Sequence, residues 1–512
     1  MRSLAIVAAV TVSAWPITGT AFAVPGPSRP APVDLPRLVT LKDIRAHLAA
    51  FEEIARYNGG DRAAGEPGDA VTVKYVVARL KAAGFTPRVQ RFAFDAWTER
   101  SKPVLARTAP GRRAYRASKD FSTLTFSAAG DVTARAVAVD VPARGAGTSG
   151  CEASDFARFP KGAVALMQRG TCTFEAKADR AKAAGARAVV IYNRPGEKGP
   201  VAGTLNTPFE LPAVAPTHRL GLALVAAARR GGLRLRVRTD TRTSRKRTAN
   251  VIAETGAGRA DNVVLAGAHL DSVPAGPGIN DNGTGAAALL AVAGKIAALG
   301  RAGLRNKVRF AWWGAEEEGL RGSSHYVGAL SAADRARIAL NLNFDMLGSV
   351  NGVRGVYDGD HSVKGGSTPP PGSGAIEKIF RDYYARRGLP TVDSEFNGRS
   401  DYGPFIEHGI PAGGMDTGAD GIKTAALAKR FGGTAGKAFD PCYHSRCDTL
   451  KNVDFRLLDT GADGVAHAVQ RLAGSTLVVN GAGANEAARR AGVRAGAGAG
   501  AGAEWRGGLL VR

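Results

Sequence analysis

Cysteine is scarce in this sequence, with four in 512 residues. None stands in C-x-x-C spacing, which argues against a zinc ribbon and for disulfides. Four cysteines allow three connectivities, and the simplest pairs Cys151 with Cys172 and Cys442 with Cys447. Acidic residues are outnumbered, 45 against 69 Lys and Arg, which leaves a formal charge of +24. The basic residues are scattered rather than gathered into one tract. There is no recognition helix, no finger spacing and no aromatic-interleaved basic motif, so no nucleic-acid partner is expected. A solvated basic surface, able to adhere to anionic cell walls, is the simpler account. Beyond the N-terminus no apolar stretch is expected to be long enough to cross a bilayer.

What is present reads as a folded chain, 44% hydrophobic and 7% aromatic, and its length favours two folded units. Arg2, the apolar run Leu4 to Trp15 and the Ala21-Phe22-Ala23 site predict a signal peptide over 1–23 and a soluble, extracellular mature protein. Pro16 interrupts that run, which is too short to span a membrane. Residues 24–36 are proline-rich and read as a linker or short propeptide, and 479–512 as a Gly/Ala/Arg low-complexity tail.

Between these ends, apolar periodicity predicts helices at Leu41–Tyr57 and Asp69–Ala83 and a strand at Thr86–Phe94. The character then changes to short strands and glycine-rich turns with one helical stretch, Phe174–Ala184, before the strand Ala188–Tyr192. From Asn250 onward strands and helices alternate: strands at 250–254, 262–268, 307–314 and 339–346, helices at 283–299, 323–330, 375–387 and 454–472. The expected fold is an α/β three-layer sandwich with a mainly parallel mixed sheet, built from 37–97 and 246–478. A mostly β insertion at 98–245 interrupts it.

Five short segments carry the chemistry, each where a predicted strand ends or a loop begins. His269 closes a strand, with Asp271 two residues on to hold its second ring nitrogen. Asp281 stands in Gly278-Ile279-Asn280-Asp281-Asn282-Gly283 at a helix start, where a carboxylate can bridge two metals. Glu316 and Glu317 follow Trp312-Trp313, so that one can bind metal while the other handles protons. Asp345 closes a further strand, and Tyr443 and His444 lie between Cys442 and Cys447. Two histidines with several carboxylates form a mixed N/O set that suits zinc. Each segment alone is a weak signal; five in this arrangement are hard to assign to chance.

With GAHLDSV, GINDNGTG, FAWWGAEE, NFDMLGS, GRSDY and CYHSRCDT in place, the chain resembles the secreted co-catalytic zinc aminopeptidases of bacteria, a group that includes fungal aminopeptidase Y. The likeness covers roughly 38–95 and 249–477. It implies two zinc ions: His269 and Asp345 on one, Glu317 and His444 on the other, and Asp281 bridging. It implies Glu316 as general base for a water between the metals, Tyr443 polarising the scissile carbonyl, and Arg399 and Met346 near the substrate's amino end. Glu316 and Asp345 would accept from the substrate's α-ammonium, and peptides with a free N-terminus are the implied partners. The insertion resembles a protease-associated domain, on Gly150-Cys151, Gly162 to Leu166, Arg169 to Phe174 and Tyr192-Asn193.

Two positions depart from the family pattern. Asp459 and Asp463 match part of a calcium site whose N-terminal acid is replaced by Leu38, which leaves the set incomplete. Asp416 stands where an aromatic wall usually meets the first side chain, so a preference for Lys or Arg there is weighed against a carboxylate in a local turn. The competing readings are a zinc carboxypeptidase on the same scaffold, a single-zinc glutaminyl cyclase, and a metal-free binding protein. Intact ligands, Glu316 and His444 argue against the last two, and nothing requires more than a monomer.

Overall fold

The computed structural model describes residues 33–141, 147–196, 199–201, 203–363 and 366–481. The expected signal peptide, the linker up to 32 and the tail from 482 lie outside the described residues.

Helix α1, Leu41–Tyr57, begins at Thr40, whose hydroxyl accepts the Asp43 amide, and it buries Ile44, Leu48, Phe51 and Ala55 along one face. Helix α2, Pro67–Ala82, starts two residues before the expected position because Pro67 suits the first helical turn. The next strand, β1, runs from Arg88 to Ala109, far beyond the predicted end at Phe94. Its partner along nearly the whole length is β6, Arg234–Glu254, antiparallel from Arg88↔Ile252 to Ala109↔Arg234. The change of character near Trp97 is therefore no break in secondary structure. One long two-stranded ribbon leaves the first sheet and enters the insertion.

Inside the insertion, β2 (Gly130–Ala138), β3 (Val164–Gln168), β4 (Ala188–Tyr192) and β5 (Ala213–Pro216) run parallel to one another in that order, while β2 pairs antiparallel with β6. Two α-helices pack with them, α3 (Phe174–Ala183) and α4 (His218–Arg229), where one was expected. Helix α4 is hidden in the sequence by Gly221, yet that glycine is required, since a Cβ there would meet the Tyr192 ring at 2.0 Å.

After β6 come β7 (Arg259–His269), α5 (Gly285–Lys295), β8 (Asn306–Trp313), α6 (Arg321–Gly328), β9 (Ile338–Phe344), β10 (Gly355–Tyr357), α7 (Ser373–Ala385), β11 (Val392–Ser394), β12 (Ala412–Asp416) and α8 (Phe455–Gly474). The strand order is β11-β10-β12-β9-β7-β8-β6, parallel except at β10–β12 and β8–β6. Alternate residues of each strand face opposite sides. Val264, Ala266, Phe310, Trp312 and Leu342 pack under α1, α2, α5, α7 and α8. Leu265, Ala311 and Trp313 face Tyr326, Val327 and Phe405 on the other side. Helices on both faces make the three layers, and fully burying each of these larger side chains contributes about 1.5–3 kcal/mol.

One expectation is corrected here. The helical run Ile279–Gly303 is long and apolar enough to cross a membrane, with mean hydropathy 1.5, and its most apolar window is 72% buried inside the fold. Its apolar character on all sides reflects a helix enclosed by sheet and neighbouring helices.

Candidate active site

Strands β7, β8, β9 and β12 end at one edge of the sheet, and their following residues converge there. His269 is the last residue of β7, Glu316 and Glu317 follow β8, Asp345 follows β9 and Asp416 ends β12. Asp281 sits in the irregular turn Ile279–Thr284 ahead of α5. Tyr443 and His444 are carried by a loop closed by the Cys442–Cys447 disulfide, with Cα atoms 5.3 Å apart. Cys151 and Cys172 form the second disulfide, so the simplest pairing is the one found.

The two oxygens of Asp281 face different imidazoles. Oδ1 lies 3.3 Å from His269 Nε2, and Oδ2 lies 3.1 Å from His444 Nε2. Asp345 Oδ1 is 3.3 Å from the same His269 nitrogen, and Glu317 Oε2 is 2.9 Å from the same His444 nitrogen. Glu316 Oε2 stands farther off, 4.0 Å from His269. Two adjacent groups result, one around His269 with Asp345 and Glu316, the other around His444 with Asp281 and Glu317.

This donor set fits metal. Asp281 Oδ2, Glu317 Oε1 and Asp345 Oδ1 are buried and make no hydrogen bond, so the cluster holds negative charge that needs a cation. Burial opposes charge on His444, yet Glu317 and Asp281 outweigh it and push its pKa up to about 10. The same contest, with Asp345 and Glu316 on the raising side, holds His269 well above its ordinary value. Burial in turn pushes Glu317 up to about 7 and Glu316 well above the usual carboxylate range. Such a site is completed by cations with N/O ligands.

The supporting contacts differ in one respect from the sequence reading. His269 Nδ1 is closest to the Asp271 main-chain carbonyl, at 3.2 Å, and lies 3.8 Å from the carboxylate. The Asp271 carboxylate also accepts the amides of Glu316 and Glu317, at 3.1 and 3.3 Å, which fixes the loop holding both glutamates. Ser400 donates to Asp345 Oδ2 at 2.6 Å. Asp448 takes the amides of Asn280 and Asp281, and Asp440 takes the Asn280 side chain and the Cys442 amide. Ser400 and Asp448 stand in the quoted runs GRSDY and CYHSRCDT, so the signal for them was present.

A cavity of about 300 Å³ opens beside the cluster, lined by Met346, Val353, Val392, Glu395, Arg399, Asp416 and Tyr443 among others. Met346 is buried in the left-handed region, φ 55°, with its amide on Asn282 Oδ1. Arg399 donates to Asp420 at 2.9 Å and to the Tyr443 hydroxyl at 3.1 Å. Asp416 Oδ1 accepts the Gly418 amide at 2.9 Å, and burial raises its pKa. A larger cleft, about 930 Å³, lies by Phe85 and Lys307, but its acids Glu254 and Asp334 are paired with Arg309 and Arg337. A third acidic group, Asp358, Asp360 and Glu377, spends its oxygens largely on backbone amides of its own loop.

Comparison with known proteins agrees with this geometry. The model of Peptidase family M28 matches residues 250–469, and that of the PA domain matches 132–224. An "Aminopeptidase" of Pseudomonas aeruginosa is 45% identical over 88% of this chain and 84% of its own length. A "Probable lipoprotein aminopeptidase LpqL" of Mycobacterium tuberculosis is 41% identical over 85% of this chain and 86% of its own. Among solved structures, an aminopeptidase from Aneurinibacillus sp. strain AM-1 aligns at TM-score 0.66 and 27% identity, covering 85% of this chain and 94% of that one. The clustered histidines and carboxylates, matched family and shared fold converge: the chain belongs to peptidase family M28 and carries an inserted PA domain.

Proposed function

We propose that this chain is a secreted aminopeptidase with a two-zinc centre, acting on peptides with a free N-terminus. The observation that carries the reading is the position of Asp281, one oxygen toward each histidine. His269 and Asp345 would hold one ion, His444 and Glu317 the other, with Asp281 shared. Bound there, two zinc ions supply Lewis-acid polarisation of a carbonyl oxygen and acidify water.

The chain's own residues do the rest. Glu316, beside the cluster but set back from it, takes the proton of the attacking water and delivers it to the departing amine. Tyr443, held at its oxygen by Arg399, donates to the oxyanion that develops on the scissile carbonyl. Glu316 and Asp345 accept from the substrate's α-ammonium, which explains why only the first peptide bond would be cut. Met346, with Val353 and Val392, gives the cavity apolar walls for the first side chain. Asp416 ends that cavity with a half-buried carboxylate, which favours Lys or Arg as the first residue.

Secretion is supported by the two disulfides, which persist in oxidising compartments. All proposed catalytic and metal residues come from one chain, so a monomer suffices. The test is release of p-nitroaniline from free-amine and N-acetylated Leu- and Lys-p-nitroanilides, before and after chelation and zinc restoration. Activity confined to free amines, lost to chelator and regained with zinc, is expected. Inactive protein holding two zincs would point to a carboxypeptidase or a latent form. Asp416→Phe should lower the Lys/Leu ratio, and an unchanged ratio removes Asp416 from specificity.

A further inference from the structure

Arg62, in the turn between α1 and α2, has no accessible surface, and among the described residues no carboxylate lies within ion-pair distance of it. Its guanidinium is spent on three carbonyls: Nε donates to Pro277 at 2.9 Å, Nη2 to Gly278 at 2.6 Å and Nη1 to Leu270. The Phe51 ring lies 5.1 Å beneath it. Burial lowers its pKa to about 10, so the group stays charged at neutral pH. Those three carbonyls belong to the segment joining His269 to Asp281.

The other side of this segment is held by a charge of opposite sign. Asp448 is 1% exposed, and its oxygens accept the amides of Asn280 at 2.7 Å and Asp281 at 3.0 Å. Each of its two oxygens thus takes one backbone N–H of the turn that carries Asp281, the arrangement a carboxylate makes as acceptor. A buried cation and a buried anion are each costly unless compensated. Here the peptide groups between them, carbonyls toward Arg62 and amides toward Asp448, supply that compensation.

We infer that Arg62 and Asp448 form a split ion pair, joined through the backbone of 270–281, that positions His269 and Asp281 at the spacing a shared metal centre needs. Neither residue touches substrate or metal; both are positioning residues. The inference rests on the metal reading given above. Loss of groups that orient metal ligands costs on the order of 10–100-fold in metal affinity.

The experiment is zinc competition against a fluorescent chelator on the full-length mature chain, for wild type, Arg62→Met, Asp448→Asn and the double variant. Urea unfolding of each metal-free protein is measured alongside. Each single variant should bind zinc roughly 10–100-fold more weakly. The double variant should lose less than the product of the two, since removing one charge already idles the other. Phe51→Leu serves as a packing control, expected to lower metal-free stability with little change in zinc affinity. If Arg62→Met fails to fold, Arg62→Lys keeps the charge while losing the three-carbonyl reach, and the same loss is expected. Wild-type zinc affinity in the variants, or losses that multiply, overturns the split pair. Wild-type protein that binds no zinc overturns the metal reading and this inference with it.

Discussion

Arg399 Nη2 donates to the Tyr443 hydroxyl oxygen at 3.1 Å, so the phenol's own proton is available to another acceptor. Arg399 is itself anchored on Asp420, and Tyr443 lines the cavity beside the proposed ligands. In the proposed mechanism Tyr443 gives that proton to the oxyanion as a hydrogen-bond donor. Tyr443→Phe should lower kcat about 10²–10³-fold with a small change in KM, as expected for a lost oxyanion donor. Steady-state kinetics on a Leu- or Lys-p-nitroanilide would reveal it. A change confined to KM would place Tyr443 in ground-state binding instead.

Glu316 can be separated from its neighbour Glu317 by metal content. Glu316→Gln should cost roughly 10²–10⁴-fold in kcat while zinc stays at two per chain. Glu317→Gln should lose zinc as well as activity. If elemental analysis finds the first variant short of metal, Glu316 is a ligand rather than the base.

Metal removal should also be visible without any substrate. An ion that binds only the folded chain stabilises it by about 2.7 kcal/mol when free at a hundred times its dissociation constant. Chelation should therefore lower the thermal midpoint by a measurable step that zinc restores, while magnesium, which prefers all-oxygen octahedral sites, should not. Identical melting curves with and without chelator would contradict the centre proposed around Asp281.

A pH effect is expected from a group outside the proposed ligand set. His47 Nδ1 lies 2.7 Å from the Tyr75 hydroxyl in the α1–α2 packing, and burial, helped by Arg79, lowers its pKa from 6.5 to about 4. Below pH 6.5 the unfolded chain binds a proton that folded His47 refuses until about pH 4. The folded state therefore loses stability as pH falls through that window, by up to about 3 kcal/mol from this group. Urea unfolding in chelator at pH 7, 5.5 and 4 would test it against His47→Gln. A gap between the two proteins that does not change with pH would exclude His47 as the source.

The residues proposed as metal ligands were readable because each stands in a short motif that ends a strand, as at His269, Glu317 and Asp345, or fills a turn or closed loop beside it, as at Asp281 and His444. Helix α1 was readable to the residue, since Thr40 caps it and Ile44, Leu48 and Phe51 mark its buried face. The β1–β6 ribbon was not, because alternation breaks at the irregularities between Glu99 and Val104 while the ladder continues, and the surface it packs on changes: Phe94 is buried with Phe92 and Ala315, and Leu105 with the insertion's core. Arg62 carried no local signal either. Its partners are more than two hundred positions away, and backbone carbonyls have no residue type to betray them. The tighter contact of His269 with a carbonyl than with the Asp271 carboxylate was hidden for the same reason.

The ribbon has a further implication for how the insertion is attached. Trp97 pairs with Thr243 and Asp95 with Arg245, so the points where the insertion begins and ends sit side by side on hydrogen-bonded strands. A tight hairpin could join them with the rest of the ladder unmoved. The inserted module is thus carried on a hairpin whose closure at these pairs would leave the register of β6 against β8 unchanged.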